Sequence, residues 1–511
     1  MGTLRDLLHV RDAAATAQRP PRRAARAARA TLAASAALVL AACGALPKVG
    51  PDYAGPPAQR SPAQAEAART AATPTDDGWR ARLPHGGAQA DLARWWAQFD
   101  DPALDAFLAA AQRESGSLAQ AAARIEQARA GAVAATAAGL PALDVTGGLS
   151  RGTINIGTTI LTTTQTRATA QANWEIDLFG RVAREREAAI ARLDQRAAEW
   201  HEARVSVAAE VAAQYLQFRY CEALVAIAQS DASSRAETAT VSERAAAAGF
   251  QAPATAALTR ASAAEAASRL TAQRADCDVG VKGLVALTGL PEPDVRARLA
   301  KTAGRLPAPR GFAVRTVPAG LLAQRPDLAA AERALAAASA DIGAAEGDRY
   351  PRLSLAGSVG PLRLEAGQVA ATLSTWSIGP SVSLPIFDAG RRRANVESAR
   401  AAYAAAEADY RAKARQAVRE VEEALVRLQA ATDREADALT ASEGYRKAFG
   451  AADVRWRNGL STVLELEESR RLLLNADSTL AGVQRDRVAA WVQLYRALGG
   501  GWTASNEDSP R

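Results

Sequence analysis

Histidine is nearly missing from this 511-residue chain, which carries only His9, His85 and His201. They fall on unrelated segments, which argues against a histidine-based metal or acid–base centre. The chain also lacks a Walker-type loop, a dinucleotide glycine fingerprint and paired CxxC motifs, the usual marks of phosphate, nucleotide and redox sites. No metal or cofactor is expected. Aromatic residues make up only 5% of a composition that is 48% apolar, much of it alanine. That balance suits long helices with small side chains at close contacts better than a large globular core.

Basic charge is scarce outside one segment. The net charge is +7, and residues 1–42 hold seven Arg and two Asp, which leaves about two charges for the rest. A nucleic-acid partner is therefore not expected. The Arg-rich start leads into an Ala/Leu/Val run over 30–42 that ends in "LAAC" at Leu40–Cys43. A positive leader, a short apolar run and small residues before a cut describe a secretory signal over 1–42. The cysteine placed there resembles a bacterial lipoprotein box, which implies a lipid on Cys43 and a mature chain starting at that residue. Gly44 follows it, in place of the Asp that typically holds lipoproteins at the inner membrane.

No later stretch has the roughly 18–20 apolar residues of a membrane-spanning helix, but a spanning strand needs only about 9–11 alternating residues. Such runs are present. In 167–178, Ala168, Ala170, Ala172, Trp174, Ile176 and Leu178 alternate with Arg167, Thr169, Gln171, Asn173, Glu175 and Asp177. In 375–386, Trp376, Ile378, Pro380, Val382, Leu384 and Ile386 alternate with residues such as Thr375, Ser377, Ser381 and Ser383. Weaker runs precede each, around Leu143–Leu149 and Leu353–Val359. The pattern predicts two hairpins with tips near 152–164 and 361–372, one face greasy and the other facing water. Pro380 and Pro385 count against ordinary central strands. Four strands cannot close a membrane barrel, so the barrel must be shared between subunits; two would supply eight strands and three would supply twelve.

The rest reads as helix and repeats. Pro141 and Pro351, Gly180 and Gly390, Gly249 and Gly459, Arg260 and Arg470, and Gly289 and Gly499 all stand 210 residues apart, which marks an internal duplication. Each copy predicts a short helix (117–139, 327–349), a hairpin, a long helix (181–248, 391–457), a tight turn and a return helix. Helices of about 67 residues would be roughly 100 Å long, too long for a compact domain. Their seams advance by threes and fours, as in Val396, Ala399, Tyr403, Ala406 and Tyr410, or Ile190, Leu193, Ala197 and Trp200.

The segments "ARWWAQFDDPALDAFL", "WEIDLFGR", "YPRLSLAGSVG", "PIFDAGRRRANVESARAAY" and "RWRNGLSTVLELEESRRLLLNA" occur in this order. From Cys43 to about Trp502 the chain resembles the TolC-like outer-membrane factors of tripartite efflux systems, particularly their lipoprotein branch. The resemblance implies a mostly α fold with a membrane β-barrel. Three identical chains would form a 12-stranded barrel continuous with a 12-helix periplasmic tunnel of coiled-coil hairpins. It implies the outer membrane of a Gram-negative bacterium as location. The implied partners are outer-membrane lipid, a periplasmic adaptor and an inner-membrane pump of the RND type. The division that follows is a signal over 1–42, an anchored and equatorial segment over 43–116, and a first repeat over 117–300 with hairpin 141–179 and return helix 253–288. A linker covers 301–326, a second repeat 327–499 with hairpin 351–387 and return helix 462–498, and a tail 500–511.

The resemblance also assigns sites. Gly249, Phe250, Gly459, Leu460 and Ser461 would form the tips that meet the adaptor. Glu465 and Glu468 would ring the closed mouth, where carboxylates gathered near an axis raise one another's pKa. Trp456 sits where the family often has a tyrosine involved in closure. The first copy has Thr255 and Leu258 at the acidic positions. A bland reading stands beside these: the glycines cap helices, "ELEES" is ordinary helix surface, and Trp456 simply packs.

Spacing alone supplies one more expectation. Cys221 and Cys277 lie 28 residues either side of Gly249, which sets them at one height in a hairpin turning there. A disulfide requires a Cα separation of about 4.4–6.8 Å, whereas helix axes usually pack about 8–10 Å apart. A disulfide stapling the hairpin is conceivable in an oxidising periplasm, while two free cysteines acting as small apolar residues are the favoured expectation. No catalytic set converges, so an enzyme is not expected. An export duct explains the hairpins and their recurrence, and a coiled-coil scaffold explains only the helices. Within the duct class, the exit of a type I protein-secretion system is the alternative to small-molecule efflux.

Overall fold

The computed structural model describes residues 48–55, 92–156, 159–307, 325–367 and 369–501. Cys43 and the leader over 1–42 lie outside them. A 3₁₀ turn at Leu92–Phe99 precedes α1 (Pro102–Glu114) and α2 (Gly116–Ala137). Strands β1 (Ala142–Ile156) and β2 (Thr159–Ile176) follow, then α3 (Arg181–Ala247), α4 (Pro253–Thr288) and α5 (Glu292–Lys301). After α6 (Pro326–Gly347) come β3 (Arg352–Ala366), β4 (Val369–Ser383), α7 (Arg391–Arg457) and α8 (Val463–Ala497). Helices α3 and α7 have 67 residues each. Among the described residues no helix is long and apolar enough to cross a membrane. The chain divides into two compact units, one gathering Ala134–Arg186 and Asp341–Glu397, the other Asp52–Val133, Glu187–Ala340 and the chain from Ser398.

The first unit holds one antiparallel sheet in the order β1-β2-β3-β4. Its register carries the alternation across all four strands. Val145 pairs with Ala170, Ala170 with Val359 and Val359 with Trp376, one apolar row on one face. The next row, Asp144, Gln171, Ser358 and Ser377, is polar throughout. A one-residue slip in any pair would mix the two faces. Leu143, Val145, Leu149, Trp376, Ile378 and Val382 are 70–76% exposed, an apolar face that no layer covers among the described residues.

The strands run further than the alternation indicated. Ile156 pairs with Thr159 and Ala366 with Val369, so the ladders continue through the stretches expected to be broad tips. Threonine-rich and mixed segments such as "TILTTTQT" over 159–166 hold a ladder through backbone bonds although their side chains do not alternate. Pro380 lies on β4, which pairs only with β3 within the chain, so its missing N–H interrupts no second ladder there.

Where strand passes into helix, an aspartate caps the helix start. Asp177 Oδ2 accepts from Ala183 N at 2.8 Å, and Asp388 Oδ2 accepts from Arg392 N at 3.2 Å. Gly180 and Gly390 take φ of +78° and +87°, the left-handed turn between strand direction and helix axis. Arg184 is buried one turn into α3 and donates to Val49 O and Gly50 O, each at 3.2 Å, while Gly343 leaves room for its side chain.

The second unit has its main core where α1, α3, α4, α5, α7 and α8 meet. Trp95 packs on Trp491 and Tyr495 at ring separations of 6.0 and 5.6 Å, and Phe107 on Tyr215 at 5.9 Å. Leu104, Leu284, Leu425 and Leu494 fill the remainder. Buried Asp101 organises this core. It caps α1 by accepting from Ala103 N at 2.9 Å and Leu104 N at 3.3 Å, and it accepts the Tyr215 hydroxyl proton. Arg219 donates to Tyr215 Oη at 3.0 Å and to Leu299 O at 2.9 Å. Burial, reinforced by Asp101, pushes the Tyr215 hydroxyl up to about 12, so it remains a donor. Asp101→Ala removes a cap and the carboxylate acceptor of a buried hydroxyl, with an expected cost of about 2–4 kcal/mol. Denaturant titration of the purified protein in detergent checks it.

The seam of α3 differs from the sequence expectation at its start. Ile190 is 40% exposed, whereas Ala188, Ala191 and Ala198 are buried. Ala191 packs against Ala336 and Ala337 of α6, a contact close enough that small residues fit it better than the larger isoleucine.

Candidate functional site at the helical tips

Each long helix ends in a left-handed glycine. Gly249 has φ +77° and Gly459 has φ +72°. Phe250 N donates to Ala245 O at 2.9 Å, and Leu460 N donates to Arg455 O at 2.8 Å, the six-residue closure that terminates a helix. A Cβ at either glycine would meet nothing within 4 Å, so the backbone angle and not space demands glycine. The residue after each is apolar and exposed: Phe250 at 88%, Leu460 at 70%.

The return helices start differently. Thr462 caps α8 by accepting from Glu465 N at 3.2 Å. Helix α4 opens on Pro253 after Ala252, with no side-chain cap. Glu465 and Glu468 both line an open cleft of about 520 Å³ shared with Ala448, Arg455, Ser461 and Leu464. Trp456 is half-buried outside that lining, and its carbonyl accepts from Gly459 N at 2.9 Å. Glu468 pairs with Arg471 at 2.6 Å on the same helix. That hydrogen-bonded guanidinium holds the Glu468 carboxyl below the usual range within the single chain.

A buried charge cluster lies just inside the second tip, and composition gave no hint of it. Glu467 pairs with Arg235 of α3 and Arg470 of α8, and accepts from Ser262 of α4 at 3.2 Å. Arg235 also pairs with Asp231 at 2.8 Å, and Asp231 with Arg269 at 3.2 Å. Arg470 is buried and donates to Ser234 and Thr238 at 3.1 and 2.9 Å, with its guanidinium 5.4 Å from the Phe449 ring of α7. Its Nε has no hydrogen-bond partner, and burial pulls the guanidinium below its usual pKa range. Val463, Leu466 and Arg470 follow seam spacing, the signal that places an arginine inside. Arg260, its counterpart in the 210-residue offset, is exposed and pairs with Glu243 at 2.7 Å. Nearer the tip, Arg457 bridges Asp453 at 2.8 Å and Glu237 of α3 at 2.7 Å.

Cys221 and Cys277 are joined by a disulfide with a Cα separation of 5.6 Å, which corrects the expectation of free thiols. The helices close in because Gly280 and Gly283 present no side chain to α3. A Cβ on Gly283 would stand 2.5 Å from Gln214 Nε2, which instead reaches over to donate to Gly280 O at 3.1 Å.

Among the described residues no group of three side chains could hold a metal ion. The family model for outer membrane efflux proteins matches residues 108–290 and again 317–500. The chain belongs to that family. It is an outer membrane efflux protein and not an enzyme. Nodulation protein T of Rhizobium leguminosarum bv. viciae is 30% identical over 476 residues, spanning 93% of this chain and 94% of that protein. The pyoverdine export outer membrane protein OpmQ of Pseudomonas putida is 31% identical, over 85% of this chain and 93% of its own. The solved structure of the outer-membrane channel OprN superposes with a TM-score of 0.78 at 28% identity, covering 89% of this chain and 99% of that one. The fold is thus that of the TolC-like outer membrane channels.

Proposed function

We propose that this chain is the outer-membrane exit duct of a tripartite efflux pump for small molecules. Three copies would close a barrel of twelve strands above a tunnel of twelve helices, anchored by a lipid on Cys43. The carrying observation is the sheet. Among the described residues its apolar row is continuous over four strands and uncovered, while β1 and β4 each pair on one side only. Such edges are not tolerated in lipid, so neighbouring copies must pair with them. Passage requires no bond making, in keeping with the lack of a catalytic set.

In this reading Gly249, Phe250, Gly459, Leu460 and Ser461 meet the periplasmic adaptor, which receives cargo from an RND-type inner-membrane pump. Glu465, Glu468 and Trp456 would narrow the lower mouth. The names of relatives, which speak of pyoverdine export and of toluene and solvent efflux, favour small cargo over the type I protein-secretion alternative. A coiled-coil scaffold without a channel leaves the apolar sheet face unexplained.

Native mass spectrometry of the protein extracted in mild detergent tests the duct. A trimer of acylated chains starting at Cys43 supports it, and an unlipidated soluble monomer sinks it. For the mouth, Glu468→Ala is expected to raise single-channel conductance or sensitivity to large antibiotics. Unchanged behaviour in both assays removes Glu468 from the gate.

A further inference from the structure

The chain has three cysteines, Cys43, Cys221 and Cys277. The disulfide between the last two closes 56 residues of sequence across α3 and α4. Cys221 is buried and Cys277 is half-buried against the core that holds Phe218, Val281 and Leu284, while Leu270, Val225 and Ala228 belong to a separate cluster of the same helix pair. Once the two helices pack, a protein-sized reagent has no route to these sulfurs. The facing residues are mostly small: Ala232 and Ala266 are buried at the seam, and Gly280 and Gly283 lie just beyond. Where alanine and glycine face one another the seam offers few distinctive knobs, so the bond adds to what Phe218, Leu270, Val281 and Leu284 contribute to the sliding position of one helix on the other. The second copy has a different rung at the same level. Ala431 and Arg487 occupy the offset positions, and Arg487 pairs with Glu435 at 2.5 Å.

We propose that Cys221–Cys277 is an oxidative modification site. The chain is a client of an exported protein oxidant carrying a reactive disulfide, and the bond forms before the α3–α4 hairpin packs, fixing its register. The Cys221 thiolate, first to emerge, attacks the oxidant's disulfide, forming a mixed disulfide and releasing one oxidant thiolate. The Cys277 thiolate then attacks Cys221 Sγ, the chain's S–S bond forms and the second oxidant thiolate leaves. Two electrons pass to the oxidant, which ends as a dithiol and takes up the two protons lost by the chain. An outer membrane protein crosses the oxidising compartment where such chemistry operates. The choice of pair rests additionally on the lipid reading: with Cys43 acylated, Cys221 and Cys277 have only each other, and no isomerisation of wrong pairs is needed.

The test uses the full chain in membranes, dissolved in denaturant with an alkylating reagent and weighed intact with and without prior reduction. No blocked thiol before reduction and two after are expected. Two blocked thiols before reduction overturn the bond. One before and three after uphold the bond while sinking the lipid anchor, so the two readings fail separately. In a host lacking its exported thiol oxidase, unoxidised chains are expected; full oxidation there overturns the dependence on a protein oxidant. The Cys221→Ala/Cys277→Ala double variant is expected to lower the thermal midpoint by about 5 °C. An unchanged midpoint overturns the register role, and reductant lowering the wild-type midpoint without affecting the double variant supports it.

Discussion

Glu467→Ala is expected to lower stability by about 3–5 kcal/mol, more than any other single change at the helical tips. The carboxylate stands between two guanidinium groups, Arg235 and Arg470, and Arg470 is buried. Removing it leaves Arg470 with hydroxyl partners only, Ser234 and Thr238, and with the positive charge of Arg235 nearby. Asp231 compensates Arg235 in part, through the 2.8 Å pair, but does not bond Arg470. Glu467→Gln keeps hydrogen-bonding capacity while deleting the charge, and should fall between the two. Replacing Glu467, Arg235 and Arg470 together by apolar residues of similar size should recover much of the loss, because the cost lies in unpaired burial and not in a missing attraction. Thermal and denaturant midpoints of the detergent-purified protein measure all three; equal midpoints for wild type and Glu467→Ala would show the cluster to be open to water.

Gly360→Val is expected to abolish assembly of the sheet. A Cβ at Gly360 would stand 1.9 Å from Ala168 O and 2.8 Å from Thr169 Cα, both backbone atoms of the neighbouring strand. Backbone cannot swing aside as a side chain does, so β2 and β3 must separate locally. The β2–β3 register spans this place between Arg167↔Leu362 and Ala170↔Val359, beside Pro361, which has no N–H to give. A bilayer leaves unpaired backbone groups without a partner, each at a cost of several kcal/mol. The readout is the yield of the heat-modifiable, detergent-resistant form in outer-membrane extracts, expected to fall to near zero. Gly379→Val serves as control, since a Cβ there meets nothing within 4 Å. A normal yield from Gly360→Val would mean that the two strands do not approach this closely in the membrane.

Much of this molecule was legible before any coordinates. Period-two alternation marked strands because a sheet face is set by parity, and parity is a property of the sequence alone. The glycines at 180, 390, 249 and 459 marked turns because each needs a positive φ that other residues resist. The same parity failed at the hairpin tips, where backbone pairing continued past the point at which side chains stopped alternating. Glu468 shows the limit of reading one chain: its partner within the chain is Arg471, three residues away, whereas a ring of carboxylates is a property of several copies.

By itself, the sequence determined the kinds of element, their order and their 210-residue recurrence, because helix period, strand parity and turn chemistry are local. Only the tertiary structure decided which of the matched arginines is buried, since Arg260 and Arg470 occupy equivalent positions and differ solely in what packs over them. It also decided that Cys221 and Cys277 meet. Equal spacing from Gly249 set their height, but their distance depended on Gly280, Gly283 and the reach of Gln214, which are contacts between helices and not properties of either one.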